Sequence, residues 1–214
     1  VYNYLKEIGV NIISFDFDDK YDDVVKKLNH SKMENKLKMI YVETPANPTN
    51  TLIDLNMVEK IKKTIQNKTD LEVISVCDNT YLGPIWQSPL DFGIDLTCYS
   101  ATKFLNGHSD VIAGAVMGSK SVISQVKYLR TFLGGMIAPY TAWLLTRSLE
   151  TLHVRMNYQA ENSIKIVEFL KTHENVTDIF YPGDENMNQS QKAIFKSQCT
   201  CLLYTSPSPR DLDL

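Results

Sequence analysis

The stretch Tyr99-Ser-Ala-Thr-Lys-Phe104 carries a lysine and two hydroxyl side chains close together, directly after a short apolar run. Residues 95–99 have the composition of a strand, so Lys103 is expected at the end of a buried strand. An ammonium group in that place must be solvated, paired or used chemically. We interpret Lys103 as a reactive amine, because burial lowers the pKa of a lysine and frees it to attack an aldehyde. The alternative is an ordinary surface lysine in a loop.

Two hydroxyl side chains accompany this lysine. Ser100 and Thr102 alternate with Ala101, so both hydroxyls are expected on one side of an extended backbone. Short hydroxyls beside a lysine suit a phosphate group that is held close to the amine. The cluster therefore indicates a phosphorylated ligand, although by itself it is a weak signal.

Two further polar side chains follow other predicted strands. Asp78 comes directly after an apolar run at 71–77, where it is either a turn cap or the counter-charge of a protonated ring nitrogen. Asn47 lies between Pro45 and Pro48, in a loop that the prolines keep rigid. Its amide either stabilises this turn or donates to a phenolate-type oxygen.

Strand patterns alternate with amphipathic helix patterns along most of the chain, which predicts an α/β fold with a mostly parallel sheet flanked by helices. In such sheets the working residues gather where the strands end and loops begin. From 139 to 170 the pattern predicts one long or kinked helix, followed by the start of a smaller C-terminal domain. The predicted strands are 11–15, 38–43, 71–77, 95–99 and 111–117.

Composition limits the classes of function. The chain has 214 residues, 43% of them hydrophobic, and a net charge of −3, so it lacks the basic excess of a nucleic-acid binder. No apolar run approaches the roughly 20 residues of a membrane-spanning helix. The four cysteines show no zinc spacing, so no metal site is expected. Free cysteines in apolar strands fit a reducing compartment, so a cytoplasmic location is expected.

The chain is divided here into three parts. Residues 1–152 are interpreted as a partial cofactor-binding domain whose N-terminus is missing, because the chain has no initiator methionine and begins within a helical pattern. Residues 153–198 are interpreted as the start of a C-terminal domain. Residues 199–214 continue no periodic pattern and are interpreted as a non-native tail.

Three segments together resemble a known family: Glu43-Thr-Pro-Ala-Asn-Pro-Thr49, Asp78-Asn-Thr80, and Tyr99-Ser-Ala-Thr-Lys-Phe-Leu-Asn-Gly-His-Ser-Asp110. They are similar to the Cys/Met-metabolism family of pyridoxal-phosphate enzymes, whose members include methionine gamma-lyase and cystathionine gamma-lyase. The resemblance extends over residues 1–198. It implies a fold-type I transferase-like fold and, for the full-length protein, a homo-oligomer built as a dimer of dimers.

The resemblance also implies roles for individual residues. Lys103 would form the imine with pyridoxal 5'-phosphate and then transfer protons. Asp78 would pair with the pyridine nitrogen, Ser100 and Thr102 would hold the phosphate, and Asn47 would bind the 3-oxygen of the ring. Arg147 and Arg155, in the helical region after the sheet, are expected to pair with acidic residues instead of touching substrate.

The function implied is a lyase that acts on a small amino-acid substrate, by γ-elimination of methionine or cystathionine at a cofactor bound to Lys103. A cystathionine gamma-synthase-type transferase and a cystathionine beta-lyase are the alternatives within the family. From another class, a truncated and catalytically inactive fragment is an alternative. A nucleotide-binding α/β module is disfavoured, because no Gly-rich phosphate turn is present.

Overall fold

A four-stranded sheet forms the centre of the computed structural model, which describes residues 2–199. The strands are β1 (Met39–Glu43), β2 (Ile74–Asp78), β3 (Leu96–Ser100) and β4 (Gly114–Gly118), in that spatial order. The first three run parallel, and β4 runs antiparallel to β3. The predicted α/β class with a mostly parallel sheet is therefore confirmed.

Seven α-helices and two short 3₁₀ helices accompany the sheet within the described residues. The 3₁₀ helices are Glu34–Lys36 and Pro89–Phe92. The α-helices are α1 (Tyr2–Glu7), α2 (Tyr21–His30), α3 (Leu55–Thr69), α4 (Lys120–Leu133), α5 (Pro139–Leu149), α6 (Leu152–Lys171) and α7 (Gln189–Gln198). Among residues 2–199, no helix is both long and apolar enough to cross a membrane.

Helix α3 shows how the sequence sets an element and its buried face. Asp54 caps its start by accepting the Asn56 N–H at 2.9 Å, and Asp70 ends it in the left-handed conformation. Its apolar residues recur at helical spacing and pack against the inward side chains of β1 and β2. Each fully buried aliphatic side chain contributes about 1.5–3 kcal/mol. The buried apolar set on α3 is Leu55, Val58, Ile61 and Ile65.

A second core lies under the loops that follow β2. Helices α6 and α7 supply Met156 and Phe195, which pack with Leu82 and Trp86 from the loop after β2. Leu52, from the loop that precedes α3, joins the same cluster and is fully buried. This core fixes the loops at the carboxyl end of the sheet against the two C-terminal helices.

Two predicted elements differ from the structure. The strand expected at 11–15 is wrong, because residues 10–16 form neither helix nor strand. Ile13 and Phe15 do pack against the core, as their alternation suggests, but a strand also needs a hydrogen-bonded neighbour, and no described strand pairs with them. The long or kinked helix predicted over 139–170 is two helices, α5 and α6, with a break at Glu150 and Thr151. Of the expected tail, residues 200–214 lie outside the described residues.

Candidate functional site

The three parallel strands end at one edge of the sheet, and their last residues are polar. Glu43 pairs in register with Asp78, and Asp78 pairs with Cys98. Because alternate residues of a strand face the same side, Ser100 shares a sheet face with Asp78 and Glu43. The predicted meeting of the polar strand ends at this edge is confirmed.

The carboxylate of Asp78 is held mainly through one of its oxygens. Oδ1 accepts the backbone N–H of Thr80 at 3.0 Å and the Thr80 hydroxyl at 2.6 Å. Within residues 2–199, Oδ2 accepts one long bond of 3.4 Å, from the Tyr41 hydroxyl. Asp78 thus caps a turn, as one interpretation expected, and still presents a nearly free oxygen. Both interpretations of Asp78 are compatible with this geometry.

Tyr41 is a neighbour of Asp78 that the sequence analysis missed. Partial burial, followed by the Asp78 carboxylate, raises the pKa of Tyr41 above its usual value. The phenol therefore stays protonated and remains a hydrogen-bond donor. Its position two residues before Glu43, on the same face of β1, is the signal that could have identified it.

The two hydroxyls near Lys103 have different surroundings. The chain turns directly after Ser100, where the Lys103 N–H donates to the Ser100 carbonyl at 3.0 Å, so the expected extended path through Thr102 is wrong. The Thr102 hydroxyl accepts the Ala113 N–H at 3.0 Å and donates to the Ala113 carbonyl at 3.3 Å. The Ser100 hydroxyl makes no hydrogen bond within residues 2–199. Ser100 is therefore the freer donor for a ligand.

Lys103 lies in the turn that follows β3 and not within the strand itself. Its side chain is exposed, so the burial expected from the sequence is not found. The reason is local: the chain leaves the sheet after Ser100 and carries Lys103 beyond the layers that cover the strands. Among the described residues, none forms an ion pair with its ammonium group.

Asn47 lies in the loop that follows β1. This loop is closed by the Ala46 N–H to the Thr51 carbonyl at 2.9 Å and the Asn50 N–H to the Ala46 carbonyl at 2.7 Å. The exposed Asn47 amide makes no hydrogen bond in the described part of the chain, so its predicted turn-stabilising bond is absent there. Asn50 instead ties the loop down, by donating to the Phe180 carbonyl at 2.6 Å.

A buried amide network joins the strand ends below this edge. The fully buried Asn79 donates to the Gln87 carbonyl at 2.8 Å and to the Tyr99 hydroxyl at 3.1 Å. Gln87 donates in turn to Asn79 Oδ1 and to the Thr44 carbonyl, both at 2.8 Å. Gln198 of α7 donates to Gln87 Oε1 at 3.1 Å. Because every member has a partner, the network fixes the three strand ends relative to one another.

The expectation that Arg147 and Arg155 pair with acids is wrong for the described residues. Arg147 lies over the ring of Trp143, at 5.8 Å from its centroid. Arg155 donates to backbone carbonyls beside the Lys103 turn. Both contacts depend on how the helices pack in the fold, which cannot be predicted from the helical pattern of α5 and α6.

The set of groups at this edge fits pyridoxal phosphate by its chemistry. Asp78 supplies an anionic oxygen for a protonated ring nitrogen, and Ser100 a hydroxyl for a phosphate. Asn47 has an amide that can donate to a phenolate-type oxygen, and Lys103 an amine for an aldehyde. Such a ligand would engage polar side-chain groups that have no partner among residues 2–199, at Asn47, Ser100 and Lys103. It would also engage Asp78 Oδ2, which accepts one long hydrogen bond there.

Comparison with known proteins gives the same family. The family model of the Cys/Met metabolism PLP-dependent enzymes matches residues 1–203. A cystathionine beta-lyase of Coxiella burnetii is 39% identical over 173 residues, covering 80% of this chain and 42% of its own length. An L-methionine gamma-lyase of Treponema denticola is 39% identical over 191 residues, covering 88% of this chain and 45% of its own length.

A solved structure extends the likeness to the fold. The cystathionine gamma synthase of Xanthomonas oryzae pv. oryzae, in complex with cystathionine, matches with a TM-score of 0.80 and 32% identity. The match covers 93% of this chain and 48% of that one. The chain thus spans less than half the length of these relatives. The chain belongs to the Cys/Met metabolism family of PLP-dependent enzymes.

Proposed function

We propose that this chain forms part of a pyridoxal-phosphate-dependent lyase that releases the sulfur group of methionine or cystathionine by γ-elimination. The observation that carries the proposal is the meeting of Asp78, Ser100 and the Lys103 turn at one edge of the sheet. The similarity to lyases and a synthase that act on sulfur amino acids supports the substrate class.

Each residue has a definite task in this proposal. Asp78 Oδ2 keeps the proton on the ring nitrogen, while Thr80 fixes the other carboxylate oxygen. The Ser100 hydroxyl donates to the phosphate. Thr102 is a second contact if its hydroxyl proton turns from the Ala113 carbonyl, 3.3 Å away, to a phosphate oxygen. The Asn47 amide donates to the 3-oxygen of the ring.

Lys103 would carry both attachment and proton transfer. Its amine would hold the cofactor through the aldehyde. Once released, the same amine would accept the Cα proton, deliver it to the former aldehyde carbon of the cofactor and only then accept a proton from Cβ. Pyridoxal phosphate, when bound, supplies the electron sink that stabilises the negative charge at Cα. The exposed position of Lys103 on its turn leaves the amine free to move between these atoms.

The substrate is the part of the proposal that most needs an experiment. The full-length protein should release 2-oxobutanoate and methanethiol from methionine. Formation of cysteine from cystathionine, without methanethiol from methionine, would favour a cystathionine gamma-lyase. Release of pyruvate and homocysteine from cystathionine would favour a beta-lyase, and condensation of cysteine with an activated homoserine would favour the synthase-type transferase. Inactivity of the 214-residue chain alone, beside an active full-length protein, would identify it as an inactive fragment.

The wider organisation is proposed on the same basis. Residues 1–152 belong to the cofactor-binding domain and residues 153–198 to the start of a C-terminal domain, with the break between α5 and α6 near this boundary.

A homo-oligomer is supported by large exposed apolar side chains such as Phe132 and Leu133, which are 78% and 76% exposed. A cytoplasmic location is supported by Cys77 and Cys98, which are free thiols in the strands. Mass measurement of the native full-length protein tests the oligomer.

A further inference from the structure

The turn that carries Lys103 lies outside the sheet and is closed by backbone hydrogen bonds. The Asn106 N–H donates to the Ala101 carbonyl at 3.0 Å, and the Gly107 N–H donates to the Lys103 carbonyl at 2.7 Å. Gly107 ends the turn in the left-handed region, with φ of +74°. The last carbonyls of such a turn have no partner inside it, so donors must come from elsewhere.

Arg155 of α6 supplies those donors. Its Nη1 donates to the Phe104 carbonyl at 3.0 Å, and its Nη2 to the Leu105 carbonyl at 3.4 Å. Nη2 also donates to the Ser148 carbonyl at 2.9 Å, and Nε to the Thr151 hydroxyl at 3.1 Å. One planar guanidinium therefore joins the Lys103 turn to the end of α5 and the start of α6.

On the side that faces the Lys103 turn, the guanidinium of Arg155 is tightly packed against Gly107. A Cβ at Gly107 would lie 1.9 Å from Arg155 Nη1 and 2.5 Å from its Cζ. The guanidinium thus lies directly against the Gly107 backbone, where only glycine leaves space. Both the absent side chain at Gly107 and its left-handed conformation are needed for Arg155 to reach the two carbonyls.

The contact is not a conventional ion pair. No carboxylate within the described residues lies close enough to form a salt bridge with Arg155. Burial lowers the pKa of Arg155, as expected for a cation whose partners are neutral carbonyls. Keeping a half-buried cation here costs free energy, which points to a geometric requirement at the turn that it holds.

We propose that Arg155 is a positioning residue for Lys103: it fixes the turn so that the lysine amine is held where the cofactor aldehyde arrives. The inference rests on the proposed role of Lys103 as the cofactor-binding amine. The Thr102–Ala113 hydrogen bonds hold the start of the turn, and Phe104 and Leu105 pack on the second core. Arg155 is the side chain of α6 that binds the carbonyls of Phe104 and Leu105, directly after Lys103. A lysine at 155 would keep the charge but cannot reach two carbonyls with a planar fork.

The test measures covalent capture of pyridoxal phosphate by the apo form of the full-length protein, trapped with borohydride and located by peptide mass. Arg155→Ala and Arg155→Lys should slow capture at Lys103 on the order of tenfold or more, because a misplaced group loses effective concentration. Millimolar guanidinium should restore much of the rate in Arg155→Ala by refilling the vacated site. Arg147→Ala, the matched control, should capture at the wild-type rate and show no response to guanidinium.

A second pair of variants tests the same contact at Gly107 instead of Arg155. Gly107→Ala places a methyl group on the guanidinium position and should slow capture like Arg155→Ala. Gly9→Ala is the control for left-handed strain alone, because Gly9 has φ of +84° and an added Cβ there would meet nothing within 4 Å. If Arg155→Ala does not fold, this pair and Arg155→Lys decide the question.

Two failures remain distinguishable. Wild-type protein that captures no cofactor at Lys103 would refute the proposed function. The role of Arg155 alone would be overturned if the wild type captures the cofactor normally and each test variant captures it as fast as its control. The pairs to compare are Arg155→Lys with Arg147→Ala, and Gly107→Ala with Gly9→Ala.

Discussion

The hydroxyl of Thr80 accepts the backbone N–H of Ser100 at 2.7 Å, which joins the loop after β2 to the end of β3. The same hydroxyl donates to Asp78 Oδ1 at 2.6 Å. One side chain therefore sets the distance between the proposed partner of the ring nitrogen and the proposed phosphate donor. Its donor and acceptor capacities are both used in this arrangement.

Replacing Thr80 with valine should disturb both groups at once. Thr80→Val keeps the shape but leaves the Ser100 N–H unpaired and removes one of the two hydrogen bonds to Asp78 Oδ1. We expect a loss of about 1–2 kcal/mol in the free energy of unfolding. We also expect weaker binding of pyridoxal phosphate, by on the order of tenfold, measured by equilibrium titration of its absorbance.

Thr80→Ser is the matched control, because it retains the hydroxyl and removes only a methyl group. It should bind the cofactor nearly as well as the wild type. Equal binding by Thr80→Val and Thr80→Ser would show that the hydroxyl does not align the site.

The second prediction concerns Gln191 of α7, whose side chain hydrogen-bonds the backbone of the loop before α3. Its Oε1 accepts the Leu52 N–H at 2.6 Å, and its Nε2 donates to the Leu52 carbonyl at 2.9 Å. Both residues are buried. Gln191→Met should lower the free energy of unfolding by about 1–3 kcal/mol, because two buried backbone groups lose their hydrogen-bond partners. Urea denaturation measures this change.

Gln189→Met, an exposed position on the same helix, serves as its control and should change stability little. Similar urea midpoints for both variants would mean that α7 does not hold this loop.

The third prediction is a pH dependence that arises from Asp184. Burial raises the pKa of this carboxyl, but the Lys171 ammonium at 2.7 Å and the Asn186 N–H outweigh burial and lower it below 3.8. A carboxyl with a lower pKa in the folded state stabilises the fold above its unfolded pKa. That contribution is lost as the pH falls through the folded value.

Removing the lysine should therefore matter most near neutral pH. The melting temperature of Lys171→Met should lie below that of the wild type at about pH 6, and the difference should shrink toward about pH 3. Lys196→Met, an exposed lysine of α7, is the control and should keep the wild-type profile. A difference that stays constant over this range would contradict the assigned role of Asp184.

The sequence predicts those parts of the fold and site that depend on local pattern. Periodicity locates the strands that end at Glu43, Asp78 and Ser100, and the geometry of parallel sheets brings their ends together. The family motifs add Asn47 and Lys103. These inferences need only neighbouring residues and a general rule of sheet architecture.

The remaining features depend on contacts between distant parts of the chain. Arg155 lies 51 residues from Phe104, and Gln191 lies 139 residues from Leu52. Neither contact can be predicted from the helical spacing of apolar residues. For that reason the sequence analysis expects Arg155 to pair with acids. The exposure of Lys103 differs from the expectation because the backbone was expected to stay extended through Thr102, whereas a turn begins after Ser100.

The central claim is that Lys103 is the amine that binds pyridoxal phosphate, and borohydride trapping of the full-length protein tests it most directly. The wild type should show a visible absorption band with the cofactor, and reduction should place the label on Lys103 by peptide mass. Lys103→Arg should lose both band and label, whereas Lys120→Arg, at an exposed lysine outside the site, should keep them. A label on another lysine, or a Lys103→Arg protein that retains the band, would contradict the account.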